Sequence, residues 1–200
     1  MINTTRLRCM IGWLGIMLPW IVVMLIGYFP PSISITWYAN ACTPFMIILG
    51  SAGILLMCYK GYDRVDDVLN TFAGVFGIGI CIFPCWGPNH AASDLVGTFL
   101  LPTNVSDVAH YICAVMFFVI LAYNSFFQFT KSSGDMTRNK KIRNIIYRIC
   151  GVGMVLSFSI LLLPEFEIQV WLMEVIALFF FGTSWITKAD CYPWLFADKK

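Results

Sequence analysis

Charge is what this chain has least of. Only 12% of its 200 residues are Asp, Glu, Lys or Arg, about half the roughly 25% of a soluble domain. That scarcity leaves no material for a separate soluble domain. No basic surface interleaved with aromatics stands outside the apolar segments, which excludes nucleic-acid binding. Histidine is nearly missing as well. Two histidines, His90 and His110, are few for a metal centre, and their spacing matches no closed metal motif; no metal and no cofactor is expected. Basic residues are absent from three whole connections, at 30–40, 86–107 and 164–167.

What the chain does have is long apolar runs. Six of them, at 10–29, 41–59, 68–85, 108–129, 144–163 and 168–187, are each long enough to cross a hydrocarbon core about 30 Å thick. The expected fold is all-α: one polytopic membrane bundle of six transmembrane helices, a single domain over residues 1–200. With the N-terminus placed in the cytoplasm, all 13 Lys and Arg residues fall on the inner side. This is the positive-inside pattern, and it puts both termini in the cytoplasm. The outer side then carries only acids, namely Asp94, Asp107, Glu165 and Glu167. Arg6 and Arg8 before the first run resemble the start of a signal peptide. The run is longer than an ordinary signal core and no Ala-x-Ala site follows, so it reads as a retained helix.

Eight cysteines do not form a framework here. Cys58, Cys81, Cys113 and Cys150 lie in or near spans, where a thiol acts as a small hydrophobe, and Cys9 and Cys191 face the reducing side. Only Cys42 and Cys85 sit near the outer boundary, at the ends of adjacent spans, where a bridge is geometrically allowed.

Small residues mark the second and third spans: Gly50, Ser51, Ala52 and Gly53, then Ala73, Gly74, Gly77 and Gly79. They predict a tight helical hairpin, because dispersion drives packing in lipid. The inner turn before the third span carries Asp63, Asp66 and Asp67. Carboxylates there meet the positive end of the helix dipole and its unpaired N–H groups. Asn124 and Gln128 stand four apart in the inner half of the fourth span and read as buried amides joining helices. The tail from Cys191 to Phe196 is aromatic and is expected along the inner interface.

Glu174 is the sharpest single residue. It lies about two turns into the sixth span, where a carboxylate costs on the order of 3 kcal/mol and must face the interior or a cavity. His110, near the outer end of the fourth span, is the expected partner, either as a polar clamp or as a functional pair. His90 and Asp94 are four apart in the outer loop. With His110 and Glu174 they make a candidate polar site on the outer side. An outer-leaflet lipid hydrolase would draw on this His, Asp and Glu grouping, and a proton-coupled transporter on Glu174 alone.

Several stretches together carry a resemblance. Gly61, Tyr62, Asp63 and Asp66 lead into the run from Ala73 to Ile80 and then Phe83-Pro84. His110 opens a span holding Ala114, Phe117 and Phe118. Lys140, Lys141, Arg143, Asn144, Tyr147 and Arg148 precede Cys150 and Gly151. Trp171 and Glu174 precede Phe181, Ser184, Trp185 and Lys188. This arrangement is similar to a group of uncharacterised bacterial six-span membrane proteins, and more distantly resembles the DRAM/Sfk type of six-span membrane protein. The resemblance implies the topology, a bacterial inner (plasma) membrane and lipid-linked or signalling roles, and it carries over no catalytic residue. With no complete catalytic constellation, the sequence points to a non-enzymatic module. Its expected partners are membrane lipids, and a second copy or another membrane protein.

Overall fold

The computed structural model describes residues 3–132 and 137–190. The aromatic tail, Cys191, Lys199 and Lys200 lie outside the described residues. Those described form six α-helices: α1 (Thr4–Ile26), α2 (Cys42–Cys58), α3 (Arg64–Ile82), α4 (Thr103–Tyr123), α5 (Arg138–Ser157) and α6 (Gln169–Lys188). A single π-helical turn, Asn124–Gln128, continues α4, and a 3-10 turn, Phe158–Leu162, continues α5. Five helices are long and apolar enough to cross a membrane; α2, at 17 residues, is shorter. The chain is therefore built as an integral membrane protein, a helical bundle. Four helices, α1, α3, α4 and α5, start notably earlier than their apolar runs. α1 starts six residues earlier than the apolar run, because Asn3 caps it by accepting from the Arg6 amide. α3 starts at Arg64, capped by Asp63.

The helices close a ring in chain order. α1 lies against α2, α2 against α3, α3 against α4, α4 and its π-helical turn against α5, α5 against α6 and α6 against α1. Where α2 meets α3, a Cβ on Gly53 would stand 2.9 Å from the Gly74 carbonyl oxygen. α1 and α6 approach as closely, with a Cβ on Gly12 2.8 Å from the Gly182 carbonyl. The core between them is aromatic and aliphatic, with Phe45, Leu56, Phe117, Leu121, Phe181 and Trp185 fully buried. The outer helix faces expose large apolar side chains such as Met24, Ile47, Phe72, Val119, Leu156 and Phe179, which suits contact with lipid tails rather than water.

One end of the bundle is knitted by basic residues. Arg8 donates to the Lys188 carbonyl at 3.3 Å, Lys131 pairs with Asp63 at 2.6 Å and Arg143 with Asp190 at 3.5 Å. The opposite end is built from connections. Residues 30–40 fold as a 3-10 segment, Ser34–Tyr38, and the loop after α3 makes a two-stranded antiparallel hairpin, β1 (Leu95–Val96) with β2 (Leu101–Pro102). Gly97, at φ 73°, and Leu100, at φ 50°, turn it. Its tip, Phe99 and Leu100, is exposed.

Candidate functional site

Two polar sites occupy opposite ends of the bundle. At the connection end, α6 ties down the first connection. The Trp171 amide donates to the Pro31 carbonyl at 2.8 Å. One turn later Glu174 accepts from the Ile33 amide at 2.5 Å and from the Ser34 hydroxyl at 3.2 Å. The carboxylate is half-buried, and its remaining surface borders a chamber of about 40 Å³. Leu18, Phe45, Leu49, Phe117, Phe118 and Leu178 are among the walls; Ser34 and Glu174 bring the polar groups. The expected His110–Glu174 pair is not formed. Glu174 takes backbone and hydroxyl donors from the 30–40 connection, because that segment folds inward over the chamber.

His110 instead caps the end of α3. Pro84 and Pro88 stop that helix and leave carbonyls without amide partners. Side chains from two other elements fill the gap. Trp37 donates its indole N–H to the Cys81 carbonyl at 3.2 Å, and Tyr38 its hydroxyl to Cys85 at 2.8 Å. Ser106 donates to Pro84 at 2.8 Å. His110 Nδ1 lies 2.7 Å from the Phe83 carbonyl oxygen, which requires the tautomer carrying the proton on Nδ1. Burial pushes the Tyr38 phenol up to about 12, with negative charge at Cys85 and Asp107 adding to it. Tyr38 is therefore a neutral donor throughout the physiological range.

His90 and Asp94 do come together, at 3.7 Å, in the loop between α3 and α4. The His90 ring lies 4.9 Å from that of Tyr38. Asp94 also turns its own loop by accepting from the Ala91 amide at 2.8 Å. The four residues His90, Asp94, His110 and Glu174 do not assemble as one cluster: among the described residues no three His, Cys, Asp or Glu side chains gather as a metal set. His110 is taken up by the Phe83 carbonyl and Glu174 by Ile33 and Ser34, while His90 and Asp94 face each other. The Cys42–Cys85 bridge is also absent, since both thiols are free. Cys42 points along its own helix, 3.7 Å from the Met46 sulfur, and Cys85 is buried under the Tyr38 bond. Cys9 is disulfide-bonded, which the reading of a reduced inner side did not anticipate.

At the basic end, the three aspartates of the turn divide their work. Asp63 caps α3 through the Asp66 amide at 2.9 Å and pairs with Lys131. Asp67 accepts from Gly61 at 2.5 Å. Asp66 is fully buried and accepts from the Tyr62 amide at 2.9 Å and from Asn70 Nδ2 at 2.7 Å. Asn70 in turn accepts from Asn124 at 3.1 Å. A chain of hydrogen bonds thus runs from the turn into the interior and ends on the π-helical turn. A single π turn inside an α-helix is often found at a functional position. Here it carries Asn124, Ser125 and Gln128, all buried, with the Asn124 Oδ1, Ser125 Oγ and Gln128 Oε1 atoms lacking a partner among the described residues. The sequence reading had marked Asn124 and Gln128 but not Asn70. The available signal was its place four residues after Asp66 in an otherwise apolar run.

Lys131 holds the Asp63 carboxyl below the usual carboxylate range, chiefly by donating to it, with the Asp66 amide second. A depressed folded value means stability that is present above the unfolded carboxyl value, about pH 4. It is lost as pH falls through the lower folded value. Melting curves of purified protein across pH 3–6 should show an acid-side decline that Asp63→Asn removes. An unchanged decline in the variant would take Asp63 out of the account.

No family model matches this chain, and neither a curated protein nor a solved structure is similar to it.

Proposed function

We propose that the protein is a non-enzymatic, lipid-binding membrane module whose lipid lies in the seam between α4 and α5. The observation that carries this reading is the groove itself. A cavity of about 420 Å³ is walled by Val119, Ala122, Tyr123, Phe126, Gly151 and Val155, among others. A second cavity, of about 140 Å³, continues along the same seam past Val115, Phe118, Met154 and Phe158, sharing Val119 and Val155 with the first. Apolar clefts of this size are ordinary ligand volumes. Gly151 brings α5 against the Ala122 carbonyl, and the valines beside that contact are too short to fill the space around it. At its basic end the Arg148 guanidinium stands 5.9 Å over the Phe126 ring. A cation there suits an anionic headgroup in the cytoplasmic leaflet, with the basic end facing the cytoplasm and the protein in a plasma membrane. His110 is held on the Phe83 carbonyl and Glu174 on Ile33 and Ser34, so of the grouping a hydrolase would draw on only His90 and Asp94 stand together, which favours the lipid-binding reading.

The test is native mass spectrometry of the protein purified in mild detergent. Wild type should retain phospholipid, and Val155→Trp, which intrudes into both cavities, should retain at least about fivefold less, in line with loss of roughly 1 kcal/mol of contact. Equal retention in the two proteins would overturn the reading.

A further inference from the structure

We infer that the chamber beside Glu174 is a binding site for a primary ammonium group carried on an alkyl chain. The chain reaches it from the α4–α5 seam past Phe118. The inference rests on reading that seam as a lipid groove and names a second class of occupant for it.

Three observations converge. The first is the isolation of the charge. Glu174 is in none of the ion pairs among the described residues, and its only partners are Ile33 and Ser34. An ionised carboxylate offers about four lone-pair directions, so room for a donor remains on the side facing the chamber. An intramembrane acid without a cation calls for one.

The second is the shape and lining of the chamber. At about 40 Å³ it holds a group of one or two water volumes, the size of an ammonium head. A metal ion would need six or more oxygen ligands, and the walls supply only Glu174 and Ser34. An organic ammonium is served differently. One N–H meets the carboxylate, another the Ser34 hydroxyl, and the aromatic walls Phe45, Phe117 and Phe118 offer ring faces that attract a cation.

The third is the route. Phe118 borders the chamber on one side and the 140 Å³ seam cavity on the other. Its ring packs edge-to-face on Phe117 at 5.4 Å and on Phe158 at 5.9 Å. It is the one residue that lines both spaces. A rotamer change at Phe118 joins them, so that a head in the chamber and a chain in the seam belong to one molecule.

The experiment measures thermal unfolding of the full chain in maltoside detergent with dodecylamine or dodecanol added. Dodecylamine should raise the wild-type midpoint by about 5 °C at saturation, and dodecanol, with the same chain and no charge, should not. Glu174→Gln should abolish the amine shift. Ala114→Leu fills the chamber from α4 while leaving Glu174 itself in the chain, and it should abolish the shift as well, which keeps the inference testable if Glu174→Gln does not fold. An equal response to amine and alcohol would overturn the inference. So would an amine shift that survives in either folded variant. Phospholipid retention on the same samples separates the two readings. Retention lost in Val155→Trp but kept in Glu174→Gln, with no amine shift in wild type, removes the ammonium site and leaves the lipid groove standing.

Discussion

Gly74→Val is expected to destabilise the bundle by about 3 kcal/mol, the upper end of the overpacking range. The reason is the backbone contact between α2 and α3. A Cβ on Gly74 would run into the Gly53 carbonyl oxygen and the Met57 side chain, and the carbonyl cannot move without its helix. In lipid nothing compensates, because helices associate through dispersion at close range rather than by leaving water. α2 is also the shortest helix, so it has the least additional surface with which to hold its place. The melting midpoint in detergent should fall by about 6–12 °C. Gly50→Ala is the control, since a Cβ there meets nothing within 4 Å; its midpoint should stay within about 2 °C of wild type. Similar losses in both variants would mean that the close approach at Gly74 does not decide.

The second large effect belongs to the buried amide at the basic end. Asn70→Leu leaves the fully buried Asp66 carboxylate with the Tyr62 amide but without its side-chain donor, and deprives Asn124 of its acceptor. Two interior polar groups lose a partner at once, and about 3 kcal/mol is expected from hydrogen bonds to a charged and a neutral group. Because Asn70 and Asn124 are in contact, the losses should not add. Asn70→Leu with Asn124→Leu together should cost less than the sum of the single variants by about 1 kcal/mol. The cycle is measured by denaturant unfolding in mixed micelles. Strict additivity would show that the Asn70–Asn124 bond contributes nothing.

The two sites differ in how far they could be read in advance. The aspartates of the turn before α3 announced themselves locally: Asp63 three residues before Asp66, at the start of an apolar run, is a helix-start pattern with a mechanism. Glu174 was legible as a costly interior charge, but its partners were not. Ile33 is an apolar residue acting through its amide, and no pattern of side chains marks a backbone donor that arrives from 141 positions away. His110 misled for a related reason. It stood at the right depth to face Glu174, whereas its ring went to the Phe83 carbonyl left open by Pro84. The prolines were visible in the sequence; which side chain would answer them was not. The groove between α4 and α5 left no signal at all, since Val119, Gly151 and Val155 look like any other lipid-facing or packing residues.

Composition and periodicity by themselves determined the class of this protein. Apolar runs long enough to cross a bilayer, with charge kept to their ends, admit only helices, because backbone groups in lipid must be satisfied within the segment. The small residues of α2 and α3 likewise marked the pair that packs most closely. Only the tertiary structure decided which polar groups meet, that Cys42 and Cys85 stay apart, and that an apolar groove opens between α4 and α5. Those outcomes depend on helix rotation and on how the connections fold back over the bundle. Both are set by the sum of many weak contacts between distant segments, and no local pattern encodes that sum.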